Sequence, residues 1–422
     1  MSSSVLNTDV LVVGGGPSGA AAALSSARLG VKTLLVERYG FLGGMATAGL
    51  VNPFMVPKQD GKDLIGGIFG EIIDDLRSEN ACVPGELFGQ PHIVFDTESL
   101  RSILLRKVRN DKVDLLLHSF ADGTILSGSG LRGISTVGKS GQIRIFSKVV
   151  IDATGDADIA YYSKVRCLKG RESDHLTQPA TLNFNLAGID VSKMPNRGQI
   201  DQLFLQAKKN KEINVPREKI LWFETTRPDE LHFNVTRIPK VDGTDVFDMT
   251  KAEIEGRRQA EEVYGFMRRS IPGFENSYIV STAAQVGFRE TRRIAGEYLL
   301  TQKDILAGRQ FDDAIALNNY PIDIHNPKGE GTIFKKLEKP YGIPFRCLIP
   351  KKIDSLIVAG RSISVTHEAL SSVRIMPVCM AMGQASGTAG ALCVKSKRQP
   401  RSLDIGVLKK ELLNRGAVLE WK

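Results

Sequence analysis

Three glycines and one acid carry the first recognisable chemistry in this chain. Gly14, Gly16 and Gly19 stand with G-x-G-x-x-G spacing directly after the apolar run Val10–Val13, and a second apolar run ends in Glu37. A short apolar run rich in β-branched residues reads as a strand buried on both faces, and the small-residue stretch after Gly16 reads as a helix. In that setting Gly14 permits the tight turn, Gly16 lets the backbone approach a pyrophosphate, and Gly19 lets helix and strand pack closely. Pro17 suits the first helical turn, where a missing N–H costs nothing. Ser18 and the free amides beside it face the anion, and the helix dipole adds to the attraction. Glu37 is placed to accept both hydroxyls of an adenosine ribose and would repel a 2′-phosphate. The unit predicts a dinucleotide site that disfavours NADP.

The elements that hold such a site must come from 422 residues, too many for one simple core, so two domains are expected. Hydrophobic residues at 42% and charged residues at 24% describe an ordinary soluble globular protein. The start "MSSSVLNTD" has neither a charged n-region nor an apolar h-region, and no apolar stretch reaches the ~20 residues of a membrane helix. A cytoplasmic protein without membrane insertion is expected. The five cysteines are far apart and form no C-x-x-C, and the six histidines show no metal spacing, so free thiols and no metal site are expected. The net charge of +9 comes from dispersed basic pairs such as Lys208-Lys209 and Arg257-Arg258. They are not interleaved with aromatics, which favours a solvated surface and an anionic small-molecule partner over a nucleic-acid groove.

A second G-x-G-x-x-G at Gly128, Gly130 and Gly133 is followed by strand and turn residues rather than a helix. It reads as a β-meander that binds no nucleotide. Before it come a helix, Thr97 to Asn110, and a strand, Val113 to His118. After it, "KVVIDATGDADIA" carries a buried strand from Val149 to Ile151 that ends in Ala153-Thr154-Gly155. Near the C-terminus a further buried strand, Leu356 to Ala359, leads into Gly360-Arg361, a loop, and a helix opening at Pro377 that is rich in Ala and Gly. A helix N-terminus aimed at a ligand offers amides and dipole to an electron-rich edge.

With these motifs in place the chain resembles the FAD-dependent oxidoreductases related to the fumarate reductase and succinate dehydrogenase flavoproteins, with an FAD fold of the glutathione-reductase type. The resemblance rests on "GGGPSGAAAA", "ERYGFLGGMATAG", "DATGDAD", "VGFRETRRIAGEYLLT" and "GRSISVTHEALSSVRIMPVCMAMGQASGTAGAL", in that order. It implies an α/β fold: a Rossmann-like FAD-binding domain, a parallel sheet with a β-meander, plus an inserted α+β substrate domain. The expected boundaries are 1–160 for the first part of the FAD-binding domain, 161–345 for the substrate or cap domain, and 346–422 for the returning part. The resemblance places Gly43, Gly44, Met45, Ala46 and Thr47 along the flavin and Gly360-Arg361 by the ribityl chain. Arg38 and Met376 join Ala153, Thr154 and Gly155 among the implied cofactor contacts. No histidine of the kind that tethers FAD in fumarate reductases follows Gly44, so the implied FAD is non-covalent.

The middle segment, with "TLNFNLAGI", "ELHFNVTRI" and a charged helix from Lys251 to Arg269, is expected to form a mixed sheet over the flavin. Candidates for chemistry then come from loops that face the cofactor. His367 can move a proton near neutral pH, and equally can be a structural histidine. Arg374 can grip a carboxylate bidentately or pair with Glu368. Arg289 and Arg292, with Arg293, can line a pocket or pair with Glu290 or Glu297. His92 and His232 read as structural. These readings predict an FAD-dependent oxidoreductase passing a hydride between flavin N5 and a small polar, anionic substrate, with the electron acceptor or donor unspecified. The alternatives are an FAD-dependent RNA-modifying protein of the glucose-inhibited-division type, which needs a larger C-terminal region than follows Gly390, and a non-enzymatic flavin-binding electron carrier.

Overall fold

The apolar runs that open and close the chain meet in one sheet. The computed structural model describes residues 4–421. Its central sheet joins β1 (Val10–Val13), β2 (Thr33–Val36), β3 (Asp114–Leu116), β4 (Val149–Asp152) and β5 (Leu356–Val358) in the order β5-β4-β1-β2-β3. All four pairings are parallel, with Val12 opposite both Ile151 and Leu35. Strands paired this way are covered on both faces, which is why β1, β2, β4 and β5 are buried throughout. β3 is shorter than the Val113 to His118 strand expected from sequence, because it lies at the sheet edge and His118 turns away at φ +53°.

Two helices lie against this sheet and against each other. α1 (Pro17–Arg28) follows β1, and α2 (Met376–Ser396) follows β5. A methyl group at Gly383 would collide with the carbonyl of Ser18, and one at Gly387 with the carbonyl of Ala22. The glycines therefore set the approach of the two backbones, and Ala20 to Ala23 are buried in the seam. The second glycine motif is a meander, as expected: Phe120–Ser127, Gly130–Gly138 and Gly141–Phe146 pair antiparallel, and Ser4–Asn7 adds a parallel edge.

The middle of the chain has its own apolar core, built on Phe184, Phe204, Phe233, Phe266 and Phe274. Its sheet contains Trp222–Glu224, Leu231–Phe233, Phe184–Ala187 and Tyr278–Thr282 in that order, and every pairing is antiparallel, not mixed as the sequence suggested. Two of the connections carry helices, Arg197–Lys209 and Val246–Ser270, yet each returns its strand antiparallel to its neighbour. The segment from Leu300 to Phe345, read with the middle unit in sequence, instead packs into the same core as the parallel sheet through Phe311, Ile343 and Phe345. No helix among the described residues is long and apolar enough to cross a membrane, and no cluster there is suited to a metal ion.

Candidate cofactor and substrate site

A cavity of about 900 Å³ opens where the C-terminal ends of β1, β2 and β4 meet the middle unit. This is where open α/β sheets bind ligands. The glycines of the first turn divide the work. Gly14 has φ +99°, and a Cβ there would meet the Ala153 carbonyl oxygen at 2.5 Å; a Cβ on Gly19 would run into the carbonyl of Gly14. These two glycines satisfy the protein. Gly16 is different: φ is −70°, ψ is −171°, and an added Cβ would find only Gly44 Cα at 3.8 Å. Its smallness clears the cavity, which it lines with Pro17 and Ser18 at the start of α1.

Glu37, at the end of β2, is nearly fully buried. One carboxylate oxygen accepts the Gly15 N–H at 2.6 Å and the other accepts the Tyr39 N–H at 2.9 Å. Burial raises its pKa, and those two amides act against the rise. The acid is thus fixed in place with lone pairs left over toward the cavity, which suits a ribose diol. Arg38, Gly44, Met45, Ala153, Thr154, Gly155, Gly360, Arg361 and Met376 also line the cavity. Gly44 approaches the first turn so closely that a Cβ on it would stand 2.7 Å from Gly16 Cα. Gly43, Ala46 and Thr47 lie behind this lining: the Thr47 hydroxyl donates to the Leu42 carbonyl at 2.7 Å and so shapes the loop. Arg361 donates to Asp156 at 2.8 Å. A glycine-cleared helix start, a buried acid on the second strand and a cavity of this size fit a dinucleotide such as FAD.

The expected catalytic residues separate into two groups. Arg374 and Arg289 line the cavity; Arg292 and His367 do not. Arg292 donates to Asp158 at 2.7 Å and stacks over Tyr161. His367 is buried with its Nδ1 2.8 Å from Glu290 Oε2. The segment read as a loop contains a helix, His367–Val373, capped by Thr366, and this turns His367 inward toward Glu290. Arg374 pairs with Asp323 at 3.3 Å, not with Glu368, because Asp323 lies on the neighbouring strand Ile322–His325. Arg293 is paired with Glu290, as one reading of the sequence had it. The thiols of Cys347, Cys379 and Cys393 are buried, and burial pushes Cys393 up to about 12.

Several cavity residues escape a sequence reading. Tyr320, Asp323, His325 and Arg217 all face the cavity. Burial would raise the Asp323 carboxyl, but a hydrogen bond from His325 and the charges of Arg374 and Arg289 hold it well below the usual carboxylate range, so it is ionised. Burial, helped by Arg289, pushes His325 down to about 3, so its ring is neutral at neutral pH. In "YPIDIH" the polar Asp323 and His325 alternate with apolar residues, a period-two pattern that could have marked a strand face turned to a site. Arg217, in the loop "VPREKI", gives no such signal.

Comparison with known proteins bears on what this cavity holds. The family model described as FAD dependent oxidoreductase matches residues 9–412. A component of the alkyl hydroperoxide reductase of Escherichia coli (strain K12) is 38% identical over 92 residues, 20% of this chain and 17% of that protein. Thiamine thiazole synthase of Methanococcus vannielii is 30% identical over 166 residues, 37% of this chain and 59% of its own length. The chain thus spans less than two thirds of the length of each of these two curated relatives. Among solved structures, p-nitrophenol 4-monooxygenase PnpA of Pseudomonas putida aligns with a TM-score of 0.52 at 12% identity, over 98% of this chain and 85% of that one. A geranylgeranyl bacteriochlorophyll reductase-like protein of Thermoplasma acidophilum gives 0.50 at 14% identity over the same shares. At these identities the likeness is one of fold, a Rossmann-like α/β arrangement.

Proposed function

The chain belongs to the FAD dependent oxidoreductase family, and from that premise we propose that it holds FAD without a covalent bond and oxidises or reduces a small, polar, anionic substrate. Kinship with the fumarate reductase and succinate dehydrogenase flavoproteins is part of the same proposal. The observation that carries it is the position of Arg289 and Arg374 in the cavity the dinucleotide motif opens into. When bound, FAD supplies a hydride acceptor or donor at its N5.

The rest is the work of the chain. The amides at the start of α1 hold the pyrophosphate, and Glu37 holds the ribose. The α2 N-terminus, where Met376 and Cys379 line the cavity, favours negative charge on the ligand portion nearest to it. Arg289 is anchored by donating to the Pro179 carbonyl at 2.9 Å and the Thr181 hydroxyl at 2.6 Å. Thr181 in turn pairs with Gly287, where an added Cβ would be 3.6 Å from Met45 Sδ. This chain of contacts sets Arg289 beside the segment expected along the flavin, where it would orient a substrate oxyanion. The middle unit, built on the core around Phe184, Phe233 and Phe274, serves as the substrate domain in this reading.

The test is an anaerobic screen of the purified protein against hydroxy acids, amino acids and sugars, with absorbance near 450 nm as readout. Acidic substrates should bleach the flavin without a partner protein. Bleaching only after addition of a second protein would favour an electron carrier instead.

A further inference from the structure

The cavity lobe away from the glycine turn collects more positive charge than the protein itself neutralises. Four arginines meet there, Arg217, Arg237, Arg289 and Arg374, and Arg289 feels the charge of the other three. Two of them have carboxylate partners: Arg374 pairs with Asp323, and Arg237 pairs with Glu218 at 3.4 Å. Arg237 is also satisfied by Gly329, Gly331 and Thr332, and it lies behind the cavity wall. Glu330 is turned outward to Lys208. Arg217 and Arg289 have no carboxylate partner among the described residues. Arg289 donates only to the Pro179 carbonyl and the Thr181 hydroxyl, and Arg217 donates to the Asn234 carbonyl at 3.2 Å. The Arg217 side chain is more than nine-tenths buried, and its Nε has no partner among the described residues.

Arginine keeps its charge in proteins, and a buried charge without a counter-charge is strongly unfavourable. His325, being neutral, adds no further positive charge there. Both uncompensated guanidinium groups line the cavity, and they come from segments far apart in the chain. Resting on the proposed function, we infer that the substrate bears two negative charges on oxyanion groups, one charge answered by Arg289 next to the flavin and the second by Arg217. Arg217 is then a specificity-determining residue that separates dianions from monoanions. The guanidinium fork suits either a pair of carboxylates or a phosphate monoester.

Isothermal titration calorimetry on the FAD-loaded protein tests this without turnover. The probes are malonate and succinate for dicarboxylates, glycerol 3-phosphate and inorganic phosphate at pH 8 for phosphates, and acetate and lactate as monoanions. At least one dianion class should bind 10-fold or more tighter than the monoanions, and the class that wins identifies the source of the second charge. Arg217→Ala should weaken the winning dianion by about 10- to 100-fold, the loss expected for one charge-assisted contact, while changing acetate affinity by less than about 3-fold. Arg217→Lys should recover only part, since it keeps the charge and loses the fork. The flavin spectrum and melting temperature of Arg217→Lys report whether the fold is kept if the alanine variant fails to fold. Equal binding of monoanions and dianions, or an Arg217→Lys variant with undiminished discrimination, would overturn the inference. The flavin-bleaching screen can fail separately: dianion binding without bleaching by any compound would refute the redox reading and leave the charge assignment standing, whereas rapid bleaching by a neutral sugar would do the reverse.

Discussion

A single methyl group at residue 16 should separate folding from cofactor binding. Gly16 has φ −70° and ψ −171°, a conformation open to any residue, and a Cβ there meets no protein atom closer than 3.8 Å. Gly16→Ala should therefore leave the apoprotein intact, and the loss of a flexible glycine from the unfolded chain should stabilise it by about 0.4–1 kcal/mol. The same methyl projects where the pyrophosphate must approach. Gly16→Leu fills that space further. For the parent, free FAD at 100 times its Kd should add about 2.7 kcal/mol to the stability of the apoprotein. That increment should shrink in the alanine variant and vanish in the leucine variant. Gly19→Ala is the contrasting control, because its methyl would overlap the Gly14 carbonyl and the cost falls on the fold itself. Thermal unfolding of each apoprotein with and without FAD, together with the visible spectrum, reads both quantities. Full FAD occupancy in Gly16→Leu would refute the assignment of the glycine turn, and an unfolded Gly16→Ala apoprotein would refute the claim that residue 16 serves only the ligand.

Arg374→Ala should keep FAD but lose about 10- to 100-fold in affinity for anionic ligands, with little recovered by lysine, as ligand titrations would record; unchanged affinity in both variants would remove Arg374 from the site. Because His367 stands beside buried Glu290 and outside the cavity, while Arg293 and the Gln178 N–H still contact Glu290, His367→Ala should cost about 1–3 kcal/mol of stability in urea unfolding, the usual range for removing one partner of a buried polar group. A variant that is fully stable yet slow in turnover would instead assign His367 a proton-transfer role. A methyl at Gly387 is forced onto the Ala22 carbonyl, so Gly387→Ala should lose about 1–3 kcal/mol as overpacking does, and a neutral result by calorimetry would contradict the helix contact. Burial pushes His232 and His325 down to about 3 in the folded protein, against about 6.5 unfolded. The unfolded chain therefore binds more protons between these values, and stability present above pH 6.5 should fall as the pH drops, by about 1.4 kcal/mol per pH unit for each histidine. A urea midpoint independent of pH from 6.5 to 5 would count against both neutral rings.

How much of this was legible in the sequence follows from how local each feature is. The glycine turn, Glu37 and the helix Thr97–Asn110 depend on neighbours within a few residues, and the helix has the bounds expected. The meander imitating a nucleotide motif was readable because strand residues follow Gly133. By contrast, the partner of Arg374 is Asp323, fifty-one residues away in the chain and adjacent only after folding. Arg217 reaches the cavity from a loop with no periodicity at all. The antiparallel middle sheet was misread because alternation fixes which face of a strand is buried and says nothing about the direction of its neighbour. The short helix starting at His367 was missed because its cap, Thr366, precedes only seven residues before the next helix signal.

The seam between α1 and α2 also bears on how the protein is made. The strand and helix that carry the glycine turn are synthesised more than 300 residues ahead of β5 and the glycine-studded helix that cover them. At about 5–20 residues per second of synthesis, the nascent turn waits roughly 15 seconds or more before its cover is complete. Through that interval the apolar flank of β4 and the alanine face of α1 lack the surfaces that finally shield them. Flavin capture is therefore tied to synthesis of α2, and premature termination before Gly383 should release a product that aggregates or is degraded rather than a smaller flavoprotein.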